Sequence, residues 1–240
     1  MFAHREVRVG IGAAVTDRAG GVSNPPYDEL NLADHVGDDP RAVARNRALV
    51  LDALVPGGAL VTMRQVHGAD VAVVDAPQQA PPEVDALVTR TPGLALVAQV
   101  ADCTPVLLWD RRARVVAAVH AGRRGLAARV LLRAIETMTA LSARPDRLYA
   151  VVGPSICPQH YEVPADLRDD VAKVAPESAA TTSTGAPALD IRAGLLGQLH
   201  DAGVRQWMVM PQCTAETAGY FSYRRDGTTG RFAGIVWIEP

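Results

Sequence analysis

The chain has 240 residues, with three cysteines, one lysine, few aromatics and no long apolar run, and each scarcity excludes something. No apolar stretch approaches the ~20 residues needed to span a bilayer, so no membrane partner is expected. The opening MFAHREVRVG is charged and has no apolar core, so no secretory signal is expected. Cysteine occurs only at 103, 157 and 213, an odd number without a C-x-x-C pair. That pattern speaks against a secreted disulfide framework and for a reducing, cytoplasmic compartment. Lys173 is the only lysine, and the longest basic clusters are pairs such as Arg111-Arg112, Arg123-Arg124 and Arg224-Arg225. With a net charge of -2, no nucleic-acid partner is expected; such pairs suit small anions.

Apolar residues make up 48% of the chain, enough for a sizeable core, and the length fits one large domain spanning 1–240. Residues 40–55 read as a helix, with Asp38 or Asp39 as cap and Pro40 in the first turn. Short Val- and Leu-rich runs bounded by Gly, Pro and Asp predict strands at Leu60–Met63, Val71–Asp75, Val84–Thr89, Leu94–Val100, Pro105–Trp109 and Arg114–His120. Pro105 is expected at a strand start or edge. Residues 124–142 read as one amphipathic helix on the spacing of Leu126, Val130, Ala134, Met138 and Leu141. The small, polar segment 176–188 reads as a surface loop. Leu148–Val152, Arg205–Met210 and Phe232–Ile238 read as strands. Ile191–Ala202 reads as a helix capped by Asp190 and closed by Gly203. Strands outnumber helices without strict alternation, which predicts a mixed α/β fold with layered sheets.

Three segments end a strand on a metal-capable side chain: Gln65-Val66-His67-Gly68, Asp102-Cys103-Thr104-Pro105 and Val119-His120-Ala121-Gly122. Two imidazoles and a thiolate suit Zn²⁺ and also copper, and three protein ligands leave a position for water or substrate. The spacing carries no signal of its own, and a buried Cys is commonly a small hydrophobe. Asp102 reads either as a support for a ligand His or as a turn carboxylate accepting N–H groups. The turn His120-Ala-Gly-Arg-Arg-Gly, with Gly122 and Arg124, reads as a phosphate cradle or as a tight strand-to-helix turn. Ser155 is a candidate donor to substrate. Cys157 and His160 are weaker candidate ligands. Tyr223, Arg224, Arg225 and Arg231 place an aromatic beside cations, which suits a planar substrate and an anion or a solvated hairpin.

Taken in order, Asn46-Arg47, QVHG at 65–68, DALVT at 85–89, ADCTPVLL at 101–108, AAVHAG at 117–122, GPSI at 153–156, YEV at 161–163, Cys213-Thr214 and FSYRRDGTTGR at 221–231 resemble the YfiH-type family, also called the laccase-domain or multicopper polyphenol oxidase family. The resemblance covers nearly the whole chain. It implies a single domain of two packed mixed β-sheets flanked by helices, in α/β/β/α layers. It implies zinc at His67, Cys103 and His120, and phosphorolysis of adenosine, inosine and methylthioadenosine with deamination of adenosine. Polyphenol oxidation with copper and editing of peptidoglycan precursors are further family activities. In this reading Asp102 or Glu162 shuttles the proton of a deamination, and Arg47, Arg124, Arg224, Arg225 and Arg231 are the anion binders. The family usually has Trp where this chain has Arg123, and Gln159-His160 replaces a common Cys-Cys. A full multicopper site needs imidazole-rich H-x-H pairs, and this chain has six His and none of those pairs. A different chemistry also fits the residues: Cys103 as nucleophile and His120 as base in a hydrolase cleaving amides.

Overall fold

The computed structural model describes residues 1–240. The chain opens with a hairpin of β1 (Phe2–Arg8) and β2 (Ile11–Thr16) that the apolar pattern does not announce, because β1 alternates charged residues along an exposed edge. Helix α1 (Pro40–Leu54) follows, and the Asp39 carboxylate accepts the Arg41 N–H as its cap. Then come β3 (Ala59–Val61), β4 (Val71–Val73), β5 (Ala86–Thr89), β6 (Leu94–Val100), β7 (Thr104–Asp110) and β8 (Val115–Ala121). β3, β4 and β5 are shorter than the apolar runs that carry them. β3 and β4 are outer strands, with a partner on one side only. Pro105 is the second residue of β7 and lies one position before the pairing with β9 (Tyr149–Val152) begins, so the ladder loses no bond there.

The expected single helix over 124–142 is two: α2 (Arg123–Ala127) and α3 (Val130–Ala140). Arg129 between them is left-handed, at φ 63°. The Leu126 carbonyl, which a continuous helix would give to Val130, instead accepts from the Gln198 side chain and from the Arg129 N–H. Periodicity cannot register that loss, because a neighbouring helix supplies the competing donor. The expected loop at 176–188 contains a 3₁₀ turn and part of a small hairpin, β10 (Ala179–Thr181) with β11 (Pro187–Leu189). A polar helix, α4 (Ala165–Ala172), is a further element without an apolar signature. Helix α5 (Ile191–Asp201) has Asp190 as N-cap and Gly203 at φ +84°, as expected. β12 (Gln206–Val209), the short helix α6 (Tyr223–Asp226) and β13 (Phe232–Ile238) complete the chain.

The strands form two mixed sheets, ordered β1-β2-β13-β6-β3 and β12-β9-β7-β8-β5-β4. Strands β6, β7, β8 and β13 are buried at every position. They read as continuous apolar runs because both of their faces are covered. Residues alternate between two cores. Leu107, Trp109, Val116 and Ala118 pack between the sheets against Leu96, Ala98 and Val236. Val106, Leu108, Ala117 and Val119 face α3 and α5 on the other side. Ala95, Val97, Ile235 and Trp237 pack against α1 residues such as Val50. The order is helix, sheet, sheet, helix. No helix is long and apolar enough to cross a membrane.

The β7–β8 turn is held by a buried carboxylate. Asp110 accepts from the Arg112, Ala113 and Arg144 N–H groups and from the Arg147 guanidinium at 2.8, 3.1, 3.0 and 2.9 Å. Burial opposes its ionisation, but the backbone donors and Arg147 outweigh that and hold its carboxyl below the usual value. The stabilisation is therefore present above the ordinary carboxylate range and is lost as pH falls through the lowered folded-state value. Asp110→Asn is expected to cost about 3 kcal/mol near neutral pH, read by urea titration, because an amide turns donors toward donors. The gap to wild type should close in acid; a constant gap from pH 7 downward would refute the carboxylate's role.

Candidate metal centre and its cavity

Cys103 and His120 stand at strand ends and His67 in the turn between β3 and β4, and their ligand atoms lie within 4.8 Å of one another. His67 sits in a turn with left-handed backbone, φ 59°. Asp85, at the threshold of β5, makes that turn possible. Its carboxylate accepts the N–H groups of Val66, His67 and Gly68 at 3.3, 3.0 and 2.6 Å. One of the same oxygens lies 2.8 Å from Nδ1 of His120 on β8. Both partners of that pair are fully buried. A proton on Nδ1, shared with Asp85, leaves Nε2 of His120 as the free donor, the usual arrangement of a metal-bound imidazole.

Cys103 precedes β7, with Sγ 3.9 Å from Nε2 of His67. A tetrahedral zinc with one thiolate and imidazoles has sulfur–nitrogen edges of about 3.5 Å, so the donors are slightly open but near that geometry. Burial opposes ionisation of Cys103, but the charge and hydrogen bonds of His120 and His67 bring its thiol down to about 6. Burial likewise depresses His120, yet Cys103 and Asp85 raise it to about 9. The protein's own groups thus stabilise the thiolate that a metal requires. Gly122 closes the arrangement: a Cβ there would stand 2.7 Å from Cys103 Sγ and 3.3 Å from His67 Cδ2. Gly122→Ala is expected to displace the thiolate and weaken metal binding about 10-fold or more. Competition with a chromogenic chelator measures this, and unchanged affinity would show that the sulfur has room to move.

The trio opens on a cavity of about 590 Å³. Three arginines, Arg123, Arg224 and Arg231, line it, with Tyr161, Tyr223 and His35 among the ring-bearing walls. The Arg224 guanidinium lies over the Tyr161 ring, 5.3 Å from its centroid. Burial and nearby Arg231 hold His35 below the usual imidazole value, so it faces the cavity uncharged near neutral pH. A neutral rim and three cations suit a planar, neutral group joined to an anion.

The sequence candidates divide. Gly122, Tyr223, Arg224 and Arg231 line the cavity. Asp102 lines it too, but at φ 98° its carboxylate accepts the Thr214 and Ser222 hydroxyls and the Arg224 N–H, at 2.6, 2.7 and 2.7 Å. It is a turn carboxylate tying the chain ends of the cavity together. Glu162 is exposed, and only its backbone pairs, bridging to Ala188. Arg124 points outward, and its neighbour Arg123 takes the cavity wall. Ser155 is buried against the Arg192 guanidinium. Arg225 is spent on the carbonyls of Thr214, Thr217 and Tyr220 and on Asp226. Arg47 holds the Leu32 carbonyl and Asp34 outside the lining. Asp85 is the residue that sequence reasoning left without a role. The signal was there: it is the one charged residue in the apolar run Val84–Val88.

The multi-copper polyphenol oxidoreductase laccase family matches residues 12–239. The chain belongs to that family. Within it, a Streptomyces coelicolor protein named purine nucleoside phosphorylase is 51% identical, with all of both chains covered. A Mycobacterium tuberculosis protein of the same name is 50% identical over 97% of this chain and 94% of its own. Among solved structures, a Neisseria meningitidis protein superposes with a TM-score of 0.89 at 36% identity, covering 100% of this chain and 99% of its own. YlmD from Geobacillus stearothermophilus gives 0.87 at 34%, covering 96% and 93%. Both solved structures share this two-sheet fold, and the family's description speaks of copper oxidation while the two relatives are named for purine nucleosides.

Proposed function

We propose that this chain is a zinc-dependent purine nucleoside phosphorylase. The observation that carries the reading is the joining, in one cavity, of a three-donor metal set to three arginines and flanking aromatic rings. Phosphorolysis breaks the bond between base nitrogen and anomeric carbon and forms one from phosphate oxygen to that carbon. The bond's electron pair and a proton end on the base. Arg123, Arg224 and Arg231 hold the phosphate, and paired guanidinium donors match its oxygens. Tyr161 and Tyr223 offer ring faces to the base. When bound, zinc supplies a Lewis acid at the cavity floor, and the donors that would hold it are His67, Cys103 and His120. Adenosine, inosine and methylthioadenosine are the proposed substrates.

Deamination of adenosine has less support. It asks for a carboxylate free to move protons beside the ring. Glu162 lies outside the cavity, Asp102 is engaged by three donors, and Asp85 is committed to His120 and the His67 turn. Polyphenol oxidation with several coppers lacks ligands, since only His35, His67 and His120 of the six His reach the cavity. A single copper on the same donors stays compatible with them. The amide-hydrolase reading, with a role in editing peptidoglycan precursors, draws on the mutual pull of Cys103 and His120, which takes the thiol down to about 6 and the imidazole up to about 9 and so favours an ion pair without metal.

One assay separates the readings. Base release from adenosine, inosine and methylthioadenosine is followed with and without phosphate, before and after chelation and zinc return. The expected result is release that requires phosphate, falls about 100-fold or more on chelation and recovers with zinc. Ammonia release independent of phosphate would favour the deaminase. An absence of nucleoside turnover, with amide cleavage that survives chelation, would favour the cysteine hydrolase.

A further inference from the structure

A second cluster of donors begins next to Ile156, a residue of the cavity wall. Cys157, His160, Cys213 and Glu216 bring one ligand atom each to within 4.8 Å of one another. Two short turns supply them, as C-x-x-H at 157–160 and C-x-x-E at 213–216. The first is a 3₁₀ turn over Pro158–His160, closed by the His160 N–H on the Cys157 carbonyl. The second closes with the Glu216 and Thr217 N–H groups on the Cys213 carbonyl. A three-residue step on a single turn points both of its side chains the same way, so each turn presents a pair of donors. The turns face each other because Ser155 bridges in parallel to Cys213 and the Arg192 guanidinium holds the Ser155, Pro211 and Gln212 carbonyls.

We propose that these four residues form a second, closed metal site, taking zinc in a structural role. The distances have the right size. Cys157 Sγ lies 3.3 Å from His160 Nδ1 and 3.7 Å from Glu216 Oε1. His160 Nδ1 lies 3.8 Å from Cys213 Sγ and 3.2 Å from Glu216 Oε1. Ordinary zinc bond lengths in a tetrahedron give sulfur–nitrogen, sulfur–oxygen and nitrogen–oxygen edges of about 3.3–3.6 Å. A second observation concerns the sulfur itself: the Cys157 N–H donates to Cys213 Sγ at 3.2 Å, so the first turn already reaches the sulfur of the second. Two thiolates, an imidazole and a carboxylate suit zinc and fill all four positions. On binding, each thiol passes its proton to solvent, and no oxidant or reductant is involved.

The position of the site explains what it would do. The segment carrying Cys157 and His160 runs between Ile156 and Tyr161, both on the cavity wall. The segment carrying Cys213 continues into Thr214, whose hydroxyl binds Asp102. Zinc there would staple two loops that otherwise meet through a few hydrogen bonds, and so fix the wall on which Arg224 packs over Tyr161.

The test is zinc content by mass spectrometry on whole protein purified without chelator, in wild type, Cys103→Ala, Cys157→Ser and the double variant. About one zinc per chain is expected to remain in Cys103→Ala and to vanish in the double variant, whatever the catalytic assays show. Cobalt(II) added to Cys103→Ala should give a thiolate-to-metal absorption band that weakens in the double variant. Chelator should lower the Tm of Cys103→Ala and leave that of the double variant unchanged. Cys103→Ala that takes up no metal from excess zinc, or whose Cys157 and Cys213 are found joined as a disulfide under thiol-reducing purification, would overturn the site.

Discussion

Cys103→Ala is expected to remove about one equivalent of metal and to lower phosphorolysis about 10³-fold or more, without unfolding the protein. The size follows from the donor set. Loss of a residue that merely supports a ligand typically costs 10–100-fold in affinity, about 1–3 kcal/mol. Loss of the only thiolate removes a ligand outright, together with the charge that balances the cation. His67 and His120 then remain as a pair of imidazoles, and His120 loses the anion that contributes most to holding its value near 9. The fold should tolerate the change, because Cys103 faces the cavity and its sulfur only flanks the small apolar cluster around Val100 and Phe221. Far-ultraviolet circular dichroism should be superimposable on wild type. Full metal content and turnover in the variant would remove Cys103 from the centre.

Asp85→Asn should combine a loss of metal affinity with a loss of stability. The carboxylate serves four donors at once: three N–H groups of the 66–68 turn and the His120 ring. An amide offers one acceptor oxygen, and its NH₂ confronts groups that also donate. The His67 turn, already in left-handed backbone, loses its anchor, and His120 loses the partner that fixes its proton on Nδ1. A stability loss of about 3 kcal/mol is expected from stranding buried partners, with metal affinity down 10–100-fold. The two readouts are separable: calorimetry on chelated protein gives the first, and chelator competition gives the second. A variant as stable as wild type after chelation would show that Asp85 supports the metal ligand and not the turn.

The sequence offered the metal trio chiefly through the family resemblance, with His120 near the end of an apolar run, Cys103 just before one and His67 in a turn between two. Asp85 was legible in part: the DALVT motif contains it, but only the folded chain shows one carboxylate reaching both a turn and a ring. The arginines were harder. Adjacent residues such as Arg123 and Arg124 have the same chemistry, and their facing depends on where α2 begins. Arg225 resembled an anion binder until its donors were found occupied by carbonyls. Among the elements, doubly covered strands declared themselves as unbroken Val and Leu runs. The edge strand β1 did not, since His4, Glu6 and Arg8 intersperse its apolar residues. The break at Arg129 was invisible for a different reason: the donor that competes for the Leu126 carbonyl is Gln198, distant in sequence.

The connection from β6 to β7 is only residues 101–103, and it carries the chain from one sheet to the other. Cys103 is therefore part of the seam that joins the two sheets. Sliding or splaying of the sheets would have to pass through this corner, where Asp102 is pinned by three hydrogen bonds. Amides along β6 and β7, paired on both sides, exchange with solvent chiefly when the sandwich as a whole opens. A metal held at Cys103 would then have one ligand on a corner that moves only when the sandwich opens, while the His67 turn can move separately from it.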